Sequence, residues 1–349
     1  MLEKKVTDEI LFEKRGHAGF ILLNRPKALN ALSHGMVKAM AAQLSLWASD
    51  DSIRHVVVSG AGEKAFCAGG DIRAIYEARR AGQTEGLSDF FRDEYRLNAQ
   101  IKAFPKPYIA VIDGIVMGGG VGVSVHGSHR IGTEHMLFSM PETGIGFFPD
   151  VGGTYFLPRL PNAVGTYLAM SAGRMGQADA YEAGILTHAT ARDRIGDLMV
   201  SLERAEDVDA LLASVSMVPE RGAVMAQADL IDRVFSKETV SGIMAALDAQ
   251  DDAFAAETAK TIRGKSPTSV HIALEQMRRG RTLDFNGCMR LEFRIVSEIL
   301  KGHDFFEGVR AVLIDKDHSP KWRPDHLDQV DSLALQAYFG MPNGGDLTL

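Results

Sequence analysis

Apolar and polar positions alternate over the first part of the chain in the pattern typical of half-buried strands. Ile10–Glu13 and Gly19–Leu23 show this pattern, and the short polar turn between them predicts a hairpin. Ser33 then provides a capping residue for a helix. The apolar side chains of that helix recur at helical spacing, at Met36, Met40, Leu44 and Trp47. The apolar run His55–Ser59 follows as a buried strand, so strand and helix alternate and an α/β layered core is expected.

The alternation of helix and strand continues through the middle of the chain. Helices are predicted near Ile72–Ala78 and Ser88–Ala103, and strands over Tyr108–Ile112 and near His129–Gly132. A glycine-rich turn opens a further helix over Gly118–His126. These elements extend the α/β core.

The second half of the chain is rich in Ala, Glu, Asp and Met and has almost no β-branched runs, which predicts an all-helical region. One helix is expected over Asp248–Lys260 and another over Val270–Arg279, with a stop between them. We place the change of character near Ser201–Val218. The sequence thus predicts a core domain at residues 1–205 and a helical C-terminal region at residues 206–349.

Composition narrows the function to small-molecule chemistry. The chain has 349 residues with 46% hydrophobic content, enough for a large buried core. Its net charge of −7 and the absence of a dense basic stripe argue against a nucleic-acid partner. Cys67 and Cys288 are too few for a disulfide framework and lack metal-ligand spacing, which suits a reducing compartment.

The N-terminal stretch has neither the apolar core of a signal peptide nor the Arg- and Ser-rich composition of a transit peptide. No run of eighteen apolar residues occurs, so no membrane partner is expected. These features predict a cytoplasmic protein of bacterial type, or a mature chain of the mitochondrial matrix.

Two glycine-rich turns carry the first chemical signal. Ala65–Asp71 (AFCAGGD) and Met117–Gly122 (MGGGVG) each follow a predicted strand and open a predicted helix, so each can expose free backbone N–H groups. Two such groups aimed at one point form an oxyanion hole. Further along, Pro141–Gly153 (PETGIGFFPDVGG) places two carboxylates in an otherwise apolar stretch. Carbonyl chemistry is therefore the first hypothesis.

These motifs, together with Asn24–Leu32 (NRPKALNAL), occur in the order and spacing of the crotonase (enoyl-CoA hydratase/isomerase) superfamily, which the chain resembles. Phe91–Asn98 (FRDEYRLN) and the blocks around the later motifs are similar to the branch of that superfamily that hydrolyses hydroxyacyl-CoA thioesters. The resemblance covers about Ile10–His188. It implies an α/β fold with a crotonase-type ββα spiral core, followed by the helical C-terminal region.

By this resemblance, the N–H groups of Gly70 and Gly119 form the oxyanion hole. Glycine suits both places, because a thioester carbonyl must approach the backbone closely. The alternative is that both are ordinary tight turns. The resemblance also implies that Lys27, Ala28 and Leu29 bind the phosphate and adenine end of coenzyme A, although a plain connecting loop would read similarly. The resemblance implies two further substrate contacts, Ala68 and Glu94.

The carboxylates distinguish two reactions. Hydratases of this superfamily use two glutamates, and the helix position of the first is Gly122 here. This departure disfavours water addition to a C=C bond, which needs two acid/base groups. Glu142 and Asp150 match the catalytic carboxylates of the hydrolase branch. The alternatives are a helix-capping role for Asp150 and a solvated acid at Glu142, although the apolar neighbours of Glu142 argue for burial and a raised pKa.

The resemblance therefore implies hydrolysis of an acyl-CoA thioester, with 3-hydroxyisobutyryl-CoA of valine catabolism as the expected substrate. No metal or redox cofactor is expected, since coenzyme A belongs to the substrate, and a homo-oligomer is possible. Two alternatives stay open: an enoyl-CoA hydratase or isomerase, and a non-catalytic acyl-CoA- or RNA-binding protein of the same fold. His126 and His129 rank below the carboxylates, because neither matches a catalytic position of the family. Cys67 ranks below them because no His/Asp partner for it is legible in the sequence.

Overall fold

The structure, a computed structural model, describes residues 8–83 and 85–349. The first seven residues, which belong to the N-terminal stretch considered above for a targeting signal, lie outside this range. Ten strands are found in the described residues: β1 (Ile10–Arg15), β2 (Ala18–Leu23), β3 (His55–Gly60), β4 (Ala65–Cys67), β5 (Tyr108–Ile112), β6 (Ile115–Met117), β7 (His129–Gly132), β8 (Leu137–Ser139), β9 (Arg174–Met175) and β10 (His188–Ala189).

The strands form two sheets. A six-stranded sheet has the order β1-β2-β3-β5-β7-β10, and a four-stranded sheet has the order β4-β6-β8-β9. The predicted hairpin is present, with β1 antiparallel to β2. The neighbours that follow in the larger sheet are parallel, from β2–β3 through β7–β10. The helices between these strands supply the long crossovers that parallel pairing requires.

The helices of the described residues agree in type with the sequence pattern and differ in some bounds. They are His34–Ala48, Ile72–Arg80, Asp89–Lys102, Gly119–Gly122, Gly153–Phe156, Val164–Ser171, Gln177–Glu182, Ile195–Leu202, Val208–Val215, Ala228–Phe235, Val240–Asp248, Ala253–Arg263, Pro267–Gly280, Phe285–Ile299, Asp304–Val309 and Ser332–Ala337. The Ser33 hydroxyl accepts the Met36 N–H at 3.2 Å and caps the first of these helices, as predicted.

Two predicted helices have different bounds in the structure. The helix expected over Asp248–Lys260 is wrong at its start, because one helix ends at Asp248 and the next begins after Asp252. The Asp252 carboxylate accepts the Ala255 N–H at 3.0 Å and so caps the new helix. The helix expected over Gly118–His126 is confined to Gly119–Gly122, and Val123–His126 continue as turns.

The chain divides into two compact units, each assembled from three segments. The first unit contains the chain up to Gly70, Arg96–Phe138 and Met175–Ala226, and the second contains Asp71–Tyr95, Ser139–Arg174 and Gln227–Leu349. No single cut in the chain separates the units, so the division at residue 205 stays a prediction about the sequence.

A hydrophobic cluster fills the interior of the first unit between the six-stranded sheet and two helices. Phe20, Val57 and Ile109 of the sheet pack with Leu202 and Leu212 of the helices, and all five are buried. Burying a side chain of this size contributes about 1.5–3 kcal/mol, so the cluster is a principal stabilising feature of this unit.

The second unit is mainly helical and includes the predicted C-terminal helical region from Gln227 onward; the helical character of that region is confirmed. Several of its helices begin at a side chain that caps the first turn, among them Thr239, Asp252, Ser266 and Asp284. Such caps satisfy backbone N–H groups that have no partner inside the helix. Over the described residues, no helix is both long and apolar enough to cross a membrane.

Candidate active site

The two glycine-rich turns lie against each other within the first unit. A β-carbon on Gly120 would lie 2.2 Å from the carbonyl oxygen of Cys67, so only glycine allows this approach. Gly69 has a φ of 123°, a conformation that other residues rarely adopt. A β-carbon built on Gly69 would lie 4.0 Å from the nitrogen of Gly119. The structure therefore brings the two predicted turns together.

The directions of the Gly70 and Gly119 N–H groups, the predicted donors of the oxyanion hole, follow from their places in the backbone. The Leu32 N–H donates to the Gly69 carbonyl at 2.8 Å. In a trans peptide the N–H points opposite to the preceding carbonyl, so the Gly70 N–H is directed away from Leu32. Gly119 is the first residue of its helix, where N–H groups have no partner inside the helix. That both N–H groups bind one oxygen stays a prediction.

The predicted coenzyme A loop adjoins the first of these turns. Lys27 and Ala28 are exposed in a short 3-10 helix, and Leu29 follows with a φ of 51°. The Ala68 N–H donates to the Leu29 carbonyl at 3.0 Å, which ties the loop to the turn that contains Gly70. The three predicted coenzyme A contacts and the predicted substrate contact Ala68 thus lie on connected backbone.

Asn30 holds this loop, and sequence reasoning missed it. Its buried side chain accepts the Arg25 N–H at 2.9 Å and donates to the carbonyls of Ala61 and Ala65 at 2.9 and 2.8 Å. Its own φ is 57°, a conformation that Asn tolerates better than most residues. The loop is therefore held by side-chain hydrogen bonds rather than by regular secondary structure.

The histidine and cysteine candidates have structural surroundings. His129 shares hydrogen bonds with the Ser128 hydroxyl and with Asp209, each at 2.8 Å. The Ser128 hydroxyl also accepts the Tyr108 N–H at 2.9 Å, so it serves the backbone. The buried Cys67 thiol donates to the Gly69 carbonyl at 3.5 Å. These contacts support the lower rank that the sequence assigned to them.

A group of four carboxylates is buried within the second unit. The exposed fractions of the residues are 2% for Glu94, 5% for Glu142, 4% for Asp150 and 0% for Glu292. They are near enough to raise one another's pKa, because Asp150 contributes to the raised values of all three glutamates. Three of the four were predicted as site residues. The structure therefore gathers the predicted carboxylates into one group and adds Glu292.

Asp150 is held by Tyr95. The Tyr95 hydroxyl donates to Oδ2 of Asp150 at 2.8 Å, and both residues are buried. Burial raises the pKa of Asp150 from 3.8 to about 7, while the Tyr95 hydrogen bond acts in the opposite direction. An acid with a pKa near neutrality is suited to proton transfer.

Glu142 begins a short 3-10 helix, Glu142–Ile145, immediately after Pro141. Burial raises its pKa well above the ordinary value, and the charge of Asp150 adds to this effect. Its buried Oε2 atom has no hydrogen-bond partner among the described residues. The solvated alternative for Glu142 is therefore wrong, and a buried oxygen is left to bind a substrate or a water.

Glu94 belongs to the helix Asp89–Lys102 and is equally buried. Burial raises its pKa well above the ordinary value, and the charge of Asp150 is the next cause. Its Oε1 atom, like Oε2 of Glu142, lacks a hydrogen-bond partner among the described residues. The helix thus presents to the group both Glu94 and the adjacent Tyr95.

The turn that carries Asp150 has a strained backbone. Val151 has a φ of 50° and Gly152 a φ of 88°. The left-handed conformation is rare for a β-branched residue and costs about 1–3 kcal/mol. The capping role predicted as an alternative for Asp150 is taken by Glu292, which accepts the N–H groups of Gly152 and Thr154, each at 2.9 Å.

Tyr95 and Glu292 were missed by sequence reasoning, although Glu292 had a signal. In the helix Phe285–Ile299, Cys288, Glu292 and Val296 recur at intervals of four and are all buried. An acidic residue on the apolar face of a helix is costly unless it is paired, so it marks a candidate site. Tyr95 had no comparable signal, because a tyrosine in a helix is ordinary core material.

Comparison with known proteins extends this picture. The profile of the family described as enoyl-CoA hydratase/isomerase matches residues 18–339. The protein named 3-hydroxyisobutyryl-CoA hydrolase, mitochondrial, of Rattus norvegicus is 46% identical over 351 residues, covering 98% of this chain and 91% of that protein.

Two solved structures are similar over nearly the whole chain. A carnitinyl-CoA dehydratase from Mycobacterium thermoresistibile has a TM-score of 0.93 at 42% identity, and the match covers 98% of each chain. An enoyl-CoA hydratase from Rhodobacter sphaeroides has a TM-score of 0.91 at 38% identity, and the match covers 98% of this chain and all of that chain. The predicted crotonase fold is confirmed.

Proposed function

Since the chain belongs to the enoyl-CoA hydratase/isomerase family, we propose that it is an enzyme that hydrolyses 3-hydroxyisobutyryl-CoA to 3-hydroxyisobutyrate and coenzyme A. The observation that carries this proposal is the buried carboxylate group that contains Glu142 and Asp150, while Gly122 leaves its short helix without an acid. The name of the rat relative supports the same substrate.

Gly70 and Gly119 are assigned to the thioester oxygen. As the carbonyl carbon is attacked, negative charge develops on that oxygen, and two N–H donors stabilise it. One donor of this kind contributes about 3 kcal/mol to lowering the barrier. The contact between the two glycine turns supports this assignment.

Glu142 is assigned to the step in which a new bond forms to the thioester carbonyl carbon. Two routes through this step are chemically complete. In the first, its carboxylate attacks the carbonyl carbon, the C–S bond breaks, the thiolate takes a proton, and water opens the resulting mixed anhydride. In the second, Glu142 removes a proton from a water that attacks the carbonyl directly; the C–S bond of the tetrahedral intermediate then breaks, and the leaving thiolate takes up the proton from Glu142. Its unpartnered buried oxygen supports the attack of the first route, and its raised pKa supports the proton removal of the second.

Asp150 and Glu94 are assigned to the rest of the acyl group. Asp150, fixed by Tyr95, orients the substrate hydroxyl or assists proton transfer to the leaving thiolate. Glu94 contacts the substrate through its unpartnered oxygen. Lys27, Ala28 and Leu29 are assigned to coenzyme A, and Ala68 is assigned to substrate binding.

Hydration of an enoyl-CoA is the second candidate, because the two similar structures are named as a dehydratase and a hydratase. Water addition needs one group to activate water and another to move the proton at the α-carbon. The short helix that would carry the second group contains only Gly119, Gly120, Val121 and Gly122. The absence of an acidic side chain from this helix favours thioester hydrolysis over hydration.

One assay separates these reactions. Purified protein is given 3-hydroxyisobutyryl-CoA and crotonyl-CoA in parallel, and both thiol release and loss of the enoyl absorbance are recorded. The expected result is thiol release from the first ester, with crotonyl-CoA hydration slower by orders of magnitude. Hydration of crotonyl-CoA without thiol release would overturn the proposal, and binding of both esters without turnover would favour a non-catalytic protein.

The rest of the proposal concerns the cofactor, the binding partner, the cellular compartment and the oligomeric state. No cofactor is required beyond the coenzyme A of the substrate, and the partner is an acyl-CoA rather than a nucleic acid or a membrane. The compartment is the cytoplasm for a bacterial chain or the mitochondrial matrix for a eukaryotic one, as the name of the rat relative suggests. The proposal also includes assembly of the chain into a homo-oligomer. Analytical ultracentrifugation of the purified protein measures its mass in solution and so tests this part.

A further inference from the structure

Glu292 binds the backbone of the turn that follows Asp150 with both of its carboxylate oxygens. Oε2 accepts the Gly152 N–H and Oε1 accepts the Thr154 N–H, each at 2.9 Å. Glu292 is fully buried in the middle of the helix Phe285–Ile299. Two hydrogen bonds from one rigid carboxylate fix the direction of both amides as well as their positions.

A second C-terminal helix holds the same turn from another direction. The buried Gln276 amide donates to the Pro149 carbonyl, and to the Thr154 hydroxyl at 2.7 Å. A β-carbon on Gly280 would lie 2.0 Å from the Thr154 carbonyl oxygen, so this helix packs directly on the backbone. The residues just before and just after Asp150 are therefore anchored by two helices.

The backbone of this turn requires such anchoring. Val151 adopts a left-handed conformation that a β-branched residue rarely adopts, and Asp150 directly precedes it. Strained backbone persists only where the surrounding structure determines it strongly. Tyr95 holds the Asp150 side chain and Glu292 holds the backbone beyond it, so the carboxylate is fixed at two points.

We propose that Glu292 is a positioning residue, which sets the orientation of the Asp150 carboxylate by holding the amides of Gly152 and Thr154. This inference rests on the proposed function, because it concerns how a carboxylate assigned to the reaction is kept in place. It gives the helical C-terminal region a direct part in thioester hydrolysis, beyond packing.

The test compares Glu292→Gln with Glu298→Gln on the same helix. A glutamine retains the size of the side chain but has one acceptor oxygen, so one of the two amides loses its partner. Glu298 pairs with Lys301 near the surface and serves as the matched control. The expected result is a kcat lowered about 10- to 100-fold by Glu292→Gln, with KM changed only slightly, and wild-type kinetics for the control.

Two further measurements separate positioning from folding. Hydrogen exchange of the peptide that spans residues 149–156 is expected to be faster in Glu292→Gln than in the wild type, at an unchanged rate elsewhere. Glu292→Asp, which retains the charge but has a shorter reach, is expected to lower kcat as well. This variant keeps the inference testable where Glu292→Gln does not fold.

The double variant Glu292→Gln/Asp150→Asn distinguishes the route of the effect. If Glu292 acts through Asp150, the second substitution adds little to the loss caused by Asp150→Asn alone. Full additivity, or a lowered melting temperature with unchanged kcat, would overturn this inference and leave the proposed function intact. Absence of thioester turnover in the wild type would overturn the proposed function and, with it, the part of Glu292 in thioester hydrolysis, and hydrogen exchange would still show whether Glu292 holds the turn.

Discussion

The hydrogen bond from Tyr95 to Asp150 provides a quantitative test of the site. Tyr95→Phe removes a single oxygen atom and leaves Oδ2 of a buried carboxylate without its 2.8 Å donor. A hydrogen bond to a charged group contributes about 1.5–3 kcal/mol. Because one pKa unit corresponds to about 1.4 kcal/mol, the pKa of Asp150 is expected to rise by about 1–2 units from its value of about 7.

The direction of this pKa change follows from the protonation state of Asp150 that the hydrogen bond from Tyr95 stabilises. A hydroxyl donor stabilises the carboxylate and lowers its pKa, so removal of the donor raises it. If the carboxylate form of Asp150 is active, the acidic limb of kcat/KM moves up by the same 1–2 units. Because about half of Asp150 is already protonated at pH 7 in the wild type, turnover at that pH is then expected to fall about 5- to 50-fold and to recover at higher pH. The assay is thiol release measured over about pH 6 to 10.

Tyr108→Phe is the matched control. The Tyr108 hydroxyl is also buried and donates at 2.8 Å, but its acceptor is the neutral carbonyl of Val123. This substitution is expected to lower the free energy of unfolding by about 0.5–1.5 kcal/mol without moving the pH profile. A Tyr95→Phe profile that overlays that of the wild type would refute the assignment of Asp150 as the group that titrates.

Three further predictions follow from the same contacts. Glu142→Gln and Asp150→Asn are each expected to lower thioester turnover at least about 100-fold with the fold retained, and Glu94→Gln is expected to cost less, as measured by steady-state kinetics and circular dichroism. Gly120→Ala is expected to lower the melting temperature and turnover together, because its β-carbon would meet the carbonyl of Cys67 at 2.2 Å. The free energy of unfolding is expected to fall as pH rises between 3.8 and about 7, because the unfolded chain releases the Asp150 proton before the folded protein does.

Each of these predictions has an outcome that contradicts it. Near-normal turnover in Asp150→Asn would assign Asp150 a structural role. A Gly120→Ala protein as stable and active as the wild type would show that the two glycine turns separate without cost. For the pH dependence, urea unfolding is measured in the wild type and in Asp150→Asn; equal slopes against pH in the two proteins would exclude Asp150 as the source.

Much of the site was predictable because its parts are encoded within short segments. Ser33 caps its helix through a residue three positions away, and the glycine turns contain the residues that their close contact requires. Glu142 and Asp150 stand in one motif, so their proximity also follows from short separation in the chain. Their burial followed from the apolar residues around them.

The helix boundary at Asp252 shows where a local pattern was misread. Asp248–Lys260 has helical composition throughout, but the Asp252 side chain binds a backbone N–H and starts a new helix. A capping residue and an exposed acidic residue in a helix look alike in composition. The difference lies in which backbone conformation the neighbouring turns allow.

By itself the sequence determined five strands of the six-stranded sheet, the helical character of the second half and the two glycine turns, and it showed that Glu142 and Asp150 stand in an apolar stretch, because these features depend on residues a few positions apart. The strands of the four-stranded sheet were not predicted. Only the tertiary structure decided what those acids meet. Tyr95 is 55 residues from Asp150, and Glu292 is 140 residues from Gly152, so neither pairing leaves a periodic signal. Helical spacing shows that Glu292 faces the interior, but the partner of a buried face is chosen by the packing of whole helices. That packing places the Glu292 carboxylate on the amides beside Asp150.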